Sequence, residues 1–450
     1  MSDLTHEPMP KNGELVSVAS ADTDTNRSVG TAFRLVVPAM YFPFPHRFGR
    51  LIGNTSCRLE PFLRKCFRVL AGASLAVVGL SCSSSSAGSP STLSPARYPP
   101  AVLSIIDARP APTDDTFQVF VCAVPVPTTD PEFGTLTYRL ALDPKHVATV
   151  LDANVRPYFE ALSHGLYHPH FVAGAVLTMT ATETHDHCVE RASAASLPTA
   201  GAVLAVATAE NLSSEPGGWG RPGAPCATTF CAARKTGRAA YVGASDFHAD
   251  YGPVPLLDLI EHEIGHTLGL PHSGDGLTDQ HASALDLMSN SAAPRDSQPN
   301  RKNGQDTLAI NRLALGWLPR DSVAVGAPRG GAFTLSPSAG SSGLRLLVLP
   351  EVDGTFLTVE YLRADGFDDF LPMSGIAVHR IDQSLAACAR PAGGAPCTGY
   401  ERAQITLGSS APHTELLHDR GAAWTVGHWK VTVLVAAAGM MQVEVQPTDG

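Results

Sequence analysis

The chain is short of charge, and above all of positive charge. Only 16% of its 450 residues are charged, and 32 Lys and Arg stand against 42 Asp and Glu. The formal net charge is therefore -10, and no basic stripe is present that could release counterions from a phosphate backbone. We expect no nucleic-acid partner. With 44% hydrophobic residues, the chain can instead bury a large core.

An apolar run near the N-terminus is too short to cross a membrane. Residues 69–80 are apolar and lie between a basic patch, 63–68, and Ser81-Cys82. A helix that spans a bilayer needs about 20 apolar residues, whereas a basic patch, a shorter apolar segment and small residues are typical of a secretory signal. We therefore predict a signal peptide at 63–82 and an exported protein, either extracellular or at the cell surface.

The end of this signal resembles a bacterial lipobox. It reads Gly79-Leu80-Ser81-Cys82, with Gly79 at a position where leucine is usual. The resemblance implies lipidation of Cys82, which would attach the protein to a membrane. Secretion without an anchor and a plain buried apolar segment are the alternatives.

The segments on either side of the signal carry no pattern of a folded core. Residues 1–62 are mixed in charge and lack a clear period, so we expect a non-structured or mis-assigned extension, with translation starting at Met40 or a nearby downstream site. Residues 83–114 begin with a Ser- and Pro-rich tract, which predicts a linker. Nothing in that tract looks like a cysteine-switch peptide.

Cysteine usage agrees with export. Six cysteines follow Cys82: Cys122, Cys188, Cys226, Cys231, Cys388 and Cys397. The last four form two pairs that are close in sequence, which leaves the first two to pair with each other. Three disulfides fit an oxidising compartment, although other connectivities stay open. A rival reading makes the segment His185–Cys188 a second metal site.

The segment His262–His272 has the spacing of a catalytic zinc site. It reads His-Glu-x-x-His-x-x-Gly-x-x-His. In a helix, His262 and His266 stand on the same face, as two ligands of one ion must. Gly269 can end that helix with a positive φ and let the chain bring in His272 as third ligand. The fourth coordination position then stays open for water, as in catalytic rather than structural sites.

The residues around the motif predict an amphipathic helix. Apolar residues recur every four positions, at Leu256, Ile260, Ile264 and Leu268. At about 100° per residue, His262 and His266 lie about 200° and 240° round from Ile260 and face away from this apolar stripe. Glu263 lies beside the two histidines, where it could take a proton from water.

The long motif and a later methionine together resemble the metzincin clan of zinc endopeptidases. Met288 stands sixteen positions after His272, where a Met-turn would lie beneath the zinc. Within the clan, three segments look most like the gametolysin and immune-inhibitor-A-like peptidases: His272-Ser273, Asp286–Ser289 and Asn311–Leu318. The resemblance extends over about 158–443. Asn290 stands where some members have a tyrosine ligand, so no such ligand is expected.

This resemblance implies an exported zinc endopeptidase that acts on protein or peptide substrates. Zinc would be held by His262, His266 and His272, and Glu263 would be the general base that passes a proton from water to the leaving amine. The alternative is a surface binding protein that carries zinc but whose peptidase part is catalytically vestigial. The intact Glu263 argues against that alternative.

An α+β fold is expected, beginning with a metzincin-type peptidase domain at 115–320. Apolar runs predict strands at 116–126, 170–180, 202–207 and 239–244, with a helix at 147–162 that is kinked or begins afresh near Pro157. These elements would form a twisted mixed sheet packed against helices. An edge strand near Tyr241–Ala244 would align the peptide. His248 lies in a rim loop, as a solvated side chain or a substrate contact.

Short alternating runs separated by Gly, Pro and Asp turns predict an all-β sandwich-like domain at 321–450. The runs are 333–335, 344–349, 356–361, 375–381, 429–435 and 441–445. Aspartates in this region could hold Ca²⁺, although acidic turns are more often simply solvated.

Overall fold

The computed structural model of the chain describes residues 98–107, 110–125, 128–130, 134–138, 141–210, 217–222, 237–243, 256–274, 281–382, 401–404, 415–437 and 439–448. The predicted extension, the signal with Cys82 and residues 83–97 of the predicted linker lie outside these residues. So do His248 and four of the cysteines, Cys226, Cys231, Cys388 and Cys397. The later part of the predicted linker is folded instead, because it includes a helix, Pro100–Leu103, and buries Val102 and Ile105.

Helices and strands are mixed in the first half, and strands dominate the second. The helices are α1 (Pro100–Leu103), α2 (Pro144–Leu162), α3 (His185–Ala194), α4 (Asp258–Thr267), α5 (Ala293–Ser297) and α6 (Ala309–Ala314). The strands are β1 (Asp114–Ala123), β2 (Thr128–Asp130), β3 (Gly134–Tyr138), β4 (His168–Thr178), β5 (Ala202–Ala207), β6 (Ala209–Glu210), β7 (Gly218–Arg221), β8 (Ala239–Val242), β9 (Ser273–Gly274), β10 (Val323–Val325), β11 (Gly331–Leu335), β12 (Leu346–Pro350), β13 (Phe356–Leu362), β14 (Gly375–Asp382), β15 (Glu401–Gln404), β16 (Ala423–Val426), β17 (Trp429–Ala437) and β18 (Met440–Pro447). The class is α+β, as predicted.

The first sheet has the order β4-β1-β5-β8-β7. The first four strands run parallel, and β7 is antiparallel to β8. Both faces are covered, which explains the continuous apolar runs: alternate residues of β1 and β5 pack towards α2 and α4 on one face and towards α3 on the other. The peptide-aligning edge strand predicted at Tyr241–Ala244 is wrong, because β8 is hydrogen-bonded on both sides and β7 forms that edge of the described sheet.

Helix α2 starts from an Asp143 cap, whose side chain accepts a hydrogen bond from the backbone N–H of Lys145. It runs through Pro157 without beginning afresh, contrary to one of the two sequence-based alternatives. The side chains on either side of the proline, Val155 and Tyr158, are buried in the core, and this packing offsets the backbone hydrogen bond that proline cannot make.

Two sheets form the second half and share a core. Strand order is β10-β12-β13-β14-β15-β9 in one sheet and β11-β18-β17-β16 in the other. Leu347 and Val359 from the first sheet and Val431 and Val443 from the second belong to one buried cluster. The opposite face of the six-stranded sheet packs on α1 and α6. Its last strand, β9, directly follows His272 and pairs in parallel with β15.

A disulfide fixes α3 to the first sheet. The sulfur atoms of Cys122 on β1 and Cys188 on α3 lie 1.99 Å apart, across 66 positions of sequence. In the chain-entropy model, closing a loop of this length stabilises the fold by about 4 kcal/mol. Among the described residues, no helix combines the length and the apolar character that crossing a bilayer requires.

Candidate metal centre

Helix α4 carries the first half of the histidine motif into the interior. His262, Glu263 and His266 are all buried. The helix ends at Thr267, and Gly269, two residues later, has a φ of 93°, the left-handed conformation that the motif predicts. The backbone N–H of Leu270 then donates to the carbonyl of Gly265 at 3.1 Å. This reversal turns the chain back towards the helix and delivers His272.

The three histidines of the motif meet at their Nε2 atoms. The Nε2 of His266 lies 3.0 Å from the Nε2 of His262 and 2.9 Å from the Nε2 of His272. Two ligands of a tetrahedral zinc ion, with Zn–N bonds of 2.0–2.1 Å, would be about 3.3 Å apart. The spacing is therefore close to that of a shared ion.

Hydrogen bonds at the Nδ1 atoms of two of these rings determine which ring nitrogen carries the proton. The Nδ1 of His262 is 2.7 Å from the carbonyl oxygen of Leu287, and the Nδ1 of His266 is 2.7 Å from that of Leu270. Because a carbonyl only accepts, each Nδ1 carries the proton and donates it. Each Nε2 then presents a lone pair, and two lone pairs 3.0 Å apart repel each other. A cation between them removes that repulsion, so the donor set fits a metal ion.

Glu263 lies next to these rings with its carboxyl group buried. Its side chain is 3% exposed, and its Oε2 has no hydrogen-bond partner among the described residues. Burial raises the pKa of this carboxyl well above its ordinary value. A buried carboxyl without a partner typically costs about 1–3 kcal/mol in stability, and such groups are concentrated at functional sites.

The predicted Met-turn segment lies directly beneath α4. Met288 is fully buried, and a Cβ atom added to Gly265 would meet its sulfur. The backbone carbonyl of Met288 accepts a hydrogen bond from the N–H of Ser273 at 2.9 Å. With the Leu287 carbonyl on His262, this short segment contacts both the first histidine of the motif and the chain after the third.

The three segments that resemble the gametolysin group come together around one carboxylate. Asp286 is fully buried. Its Oδ2 accepts from the Ser273 hydroxyl at 2.6 Å, and both its oxygens accept from the Asn311 amide at 3.1 Å. The Thr307 hydroxyl donates to Oδ1 at 3.0 Å. Sequence reasoning had assigned no role to Asp286.

Strand β7 packs directly against α4, next to Glu263 and His266. A Cβ atom on Gly220 would lie 2.1 Å from the backbone oxygen of Glu263 and 2.6 Å from the Cβ of His266, so only glycine fits there. In the register with β8, the Gly217–Gly243 pair is hydrogen-bonded. The backbone groups of Gly218 and Gly220 therefore point away from β8, to the outer edge of the sheet.

A fourth histidine, which sequence reasoning missed, lies at the same place. This residue is His281. It has a ring nitrogen that lies within 4.8 Å of a ring nitrogen of His262 and of one of His272, and those two lie within the same distance of each other. The ring centroid of His281 is 4.8 Å from that of His272 and 6.0 Å from that of His262. No helical spacing connects His281 to the motif, so the sequence carried no signal for it.

The rival metal site at His185–Cys188 is not supported. The sulfur of Cys188 is bonded to Cys122 and cannot bind a metal as a thiolate. The ring of His185 packs 5.0 Å from Tyr241, and Asp186 forms an ion pair with Arg221 at 2.9 Å. For the predicted Ca²⁺, no group of converging carboxylates is found within the described ranges.

Comparisons with known proteins add no name to this site. A scan against models of protein families and a search of curated proteins both found no match to the chain.

Proposed function

We propose that the protein is a zinc-dependent endopeptidase of the metzincin type, exported from the cell, that hydrolyses protein or peptide substrates. The observation that carries the proposal is the close approach of three histidine Nε2 atoms next to the buried carboxyl of Glu263, which lies on the same helix as two of those histidines. The resemblance to gametolysin and immune-inhibitor-A-like peptidases points to the same reaction.

His262, His266 and His272 would hold the ion. Zinc at that place would polarise a substrate carbonyl and lower the pKa of a water molecule. The carbonyls of Leu287 and Leu270 hold two of the rings in the tautomer whose lone pair is on Nε2, and so they would pre-organise the donors for an ion.

Glu263 would serve as the general base. Because burial disfavours its charged form, its carboxylate is a stronger base than an exposed glutamate. It would take the proton of the attacking water and return it to the leaving amine nitrogen. The absence of competing hydrogen bonds at Oε2 within the described structure leaves that oxygen available for the transfer.

Strand β7 would hold the substrate backbone. Its outward N–H and C=O groups at Gly218 and Gly220 can pair with an extended peptide, as sheet edges do in peptide recognition. Since Gly220 is packed against Glu263 and His266, such a peptide would pass close to the histidines. This assigns to β7 the role that the sequence had placed at Tyr241–Ala244.

The proposal is tested with full-length purified protein, a peptide library and metal analysis. We expect one zinc per chain and phenanthroline-sensitive cleavage. Glu263→Gln should keep the zinc and lose cleavage by at least a hundredfold, since general-base catalysis contributes about 10²–10⁴. Glu190→Gln, the same chemical change on an exposed residue of α3, is the matched control.

The alternative, a zinc-bearing surface binding protein without activity, makes a different forecast. It predicts one zinc per chain, no cleavage of any library peptide by the unchanged protein, and no difference between Glu263→Gln and the control. Cleavage that survives in Glu263→Gln would reject the assigned base.

A further inference from the structure

His281 lies on the solvent side of the histidine cluster. His262 is buried and His272 is half-buried, whereas His281 is exposed. The Nδ1 atoms of His262 and His266 face the interior, where they contact the carbonyls of Leu287 and Leu270. If the other three rings held a metal, the exposed ring of His281 would be near enough to take the coordination position that they leave open.

The backbone after His281 is fixed to the Met-turn segment. The N–H of Ser283 donates to the hydroxyl of Ser289 at 3.0 Å, and the N–H of Asn290 donates to the carbonyl of Ser283, also at 3.0 Å. Ala282 is buried beside them. These contacts hold the backbone of His281 near the cluster, while its ring is exposed to solvent.

We propose that His281 is a fourth protein ligand of the ion in the substrate-free protein, and that it leaves the metal when a substrate carbonyl takes its place. This inference rests on the proposed zinc site. Imidazole is a preferred zinc ligand, and four protein ligands make a closed site in which water has no position. The resting protein is then closed, and an incoming carbonyl or a small chelating ligand must displace His281 to bind.

Exposure of the fourth ring makes this closure reversible. The first two ligands gain rigidity from backbone hydrogen bonds at Nδ1 and from burial. Dissociation of an exposed ring from the ion costs little free energy, because water can solvate the ring once it has left. His281 therefore slows metal loss and competes with small ligands without preventing substrate from binding.

Cobalt-substituted full-length protein tests the proposal by a readout that does not depend on activity. We expect His281→Ala to retain one Co²⁺ per chain, with a changed visible absorption spectrum because one nitrogen donor is replaced. Metal loss to a chelator should be about tenfold faster, by analogy with the 10–100-fold effect of groups that only support a ligand. Acetohydroxamate should bind several-fold more tightly, since no ring must be displaced.

His187→Ala is the matched control, because His187 is an exposed histidine on α3. It should change none of the three measurements. An unchanged spectrum together with an unchanged rate of metal loss in His281→Ala would overturn the role of His281 and leave the three-histidine site intact. Failure of the unchanged protein to bind Co²⁺ or zinc would instead overturn the proposed site itself, and this inference with it.

Discussion

The hydroxyl of Ser273 donates a 2.6 Å hydrogen bond to the carboxylate of Asp286, and Ser273 is the residue directly after the third histidine of the motif. The same carboxylate accepts from Asn311. One buried side chain thus ties the position of His272 to the segment below α4 and to helix α6. His272 is the only one of the three proposed ligands outside α4, so it depends most on such support.

Replacing Asp286 should therefore loosen the third ligand. Asp286→Ala would leave the Ser273, Thr307 and Asn311 donors without their acceptor in the interior, and each unsatisfied buried group costs about 1–3 kcal/mol. We expect a lower melting temperature and at least tenfold weaker zinc binding. Calorimetry and chelator competition measure the two effects. Asp296→Ala, at an exposed position on α5, should leave both unchanged. Equal zinc affinity in the two variants would contradict the role of Asp286.

A methyl group at Gly220 should push β7 away from α4. The added Cβ of Gly220→Ala would overlap the backbone of Glu263 and the side chain of His266, and overpacking typically costs 1–3 kcal/mol. Because the displaced strand is the proposed peptide edge, we expect peptide cleavage to fall well beyond what the stability loss explains. The measurements are denaturant unfolding and steady-state kinetics.

Gly354→Ala is the comparison for that variant. Gly354 has a φ of 87° but no atom within 4 Å of an added Cβ, so alanine there suffers backbone strain alone. It should lose about 1 kcal/mol of stability and keep full activity. Should Gly220→Ala also remain fully active, the contact between β7 and α4 has no bearing on the reaction.

Glu360 should make the fold less stable as pH rises. It is fully buried, and burial raises its pKa from 4.5 to about 7, although the N–H of Ala309 donates to it at 3.0 Å. Below pH 4.5 the carboxyl is protonated in both folded and unfolded chains, so it contributes no pH dependence there. Between pH 4.5 and about 7 the unfolded chain releases this proton while the folded chain keeps it. The free energy of unfolding therefore falls across that window and is constant above it.

Glu360→Gln removes this titration. The drop in unfolding free energy between pH 5 and pH 8 should be smaller than in the unchanged protein by on the order of 3 kcal/mol, since one pKa unit corresponds to about 1.4 kcal/mol. Denaturant unfolding at the two pH values measures the difference. Glu190→Gln should keep the original slope. Parallel slopes in all three proteins would show that Glu360 keeps the same pKa on unfolding.

Local patterns predicted much of this fold. The strand at Ala202–Ala207 has the predicted bounds, and the runs at Phe356 and Trp429 both became strands, because apolar alternation and turn residues act over a few positions. The positive φ of Gly269 was likewise readable, since the motif demands a tight reversal there.

What could not be predicted depends on contacts distant in sequence. Strand β7 has two glycines and no apolar pattern, so its place at the sheet edge is visible only once its pairing with β8 is known. Pro157 continues a helix because the surrounding core holds it there. His281 lies beside the histidine cluster although it stands outside the motif, and no periodic spacing in the sequence links the two.

The pairing of β9 with β15 makes the two halves of the protein interdependent. Ser273 and Gly274 lie in register with Arg402 and Ala403, so the segment that leaves His272 is a strand of the C-terminal sheet. Cutting the chain at 320 would take away that partner strand, and Ser273 would keep its hydrogen bonds to Met288 and Asp286 without the pairing to β15. An isolated N-terminal half would then hold two donor rings on α4 as before and the third less firmly, so the later sheet contributes to the geometry of the proposed metal site.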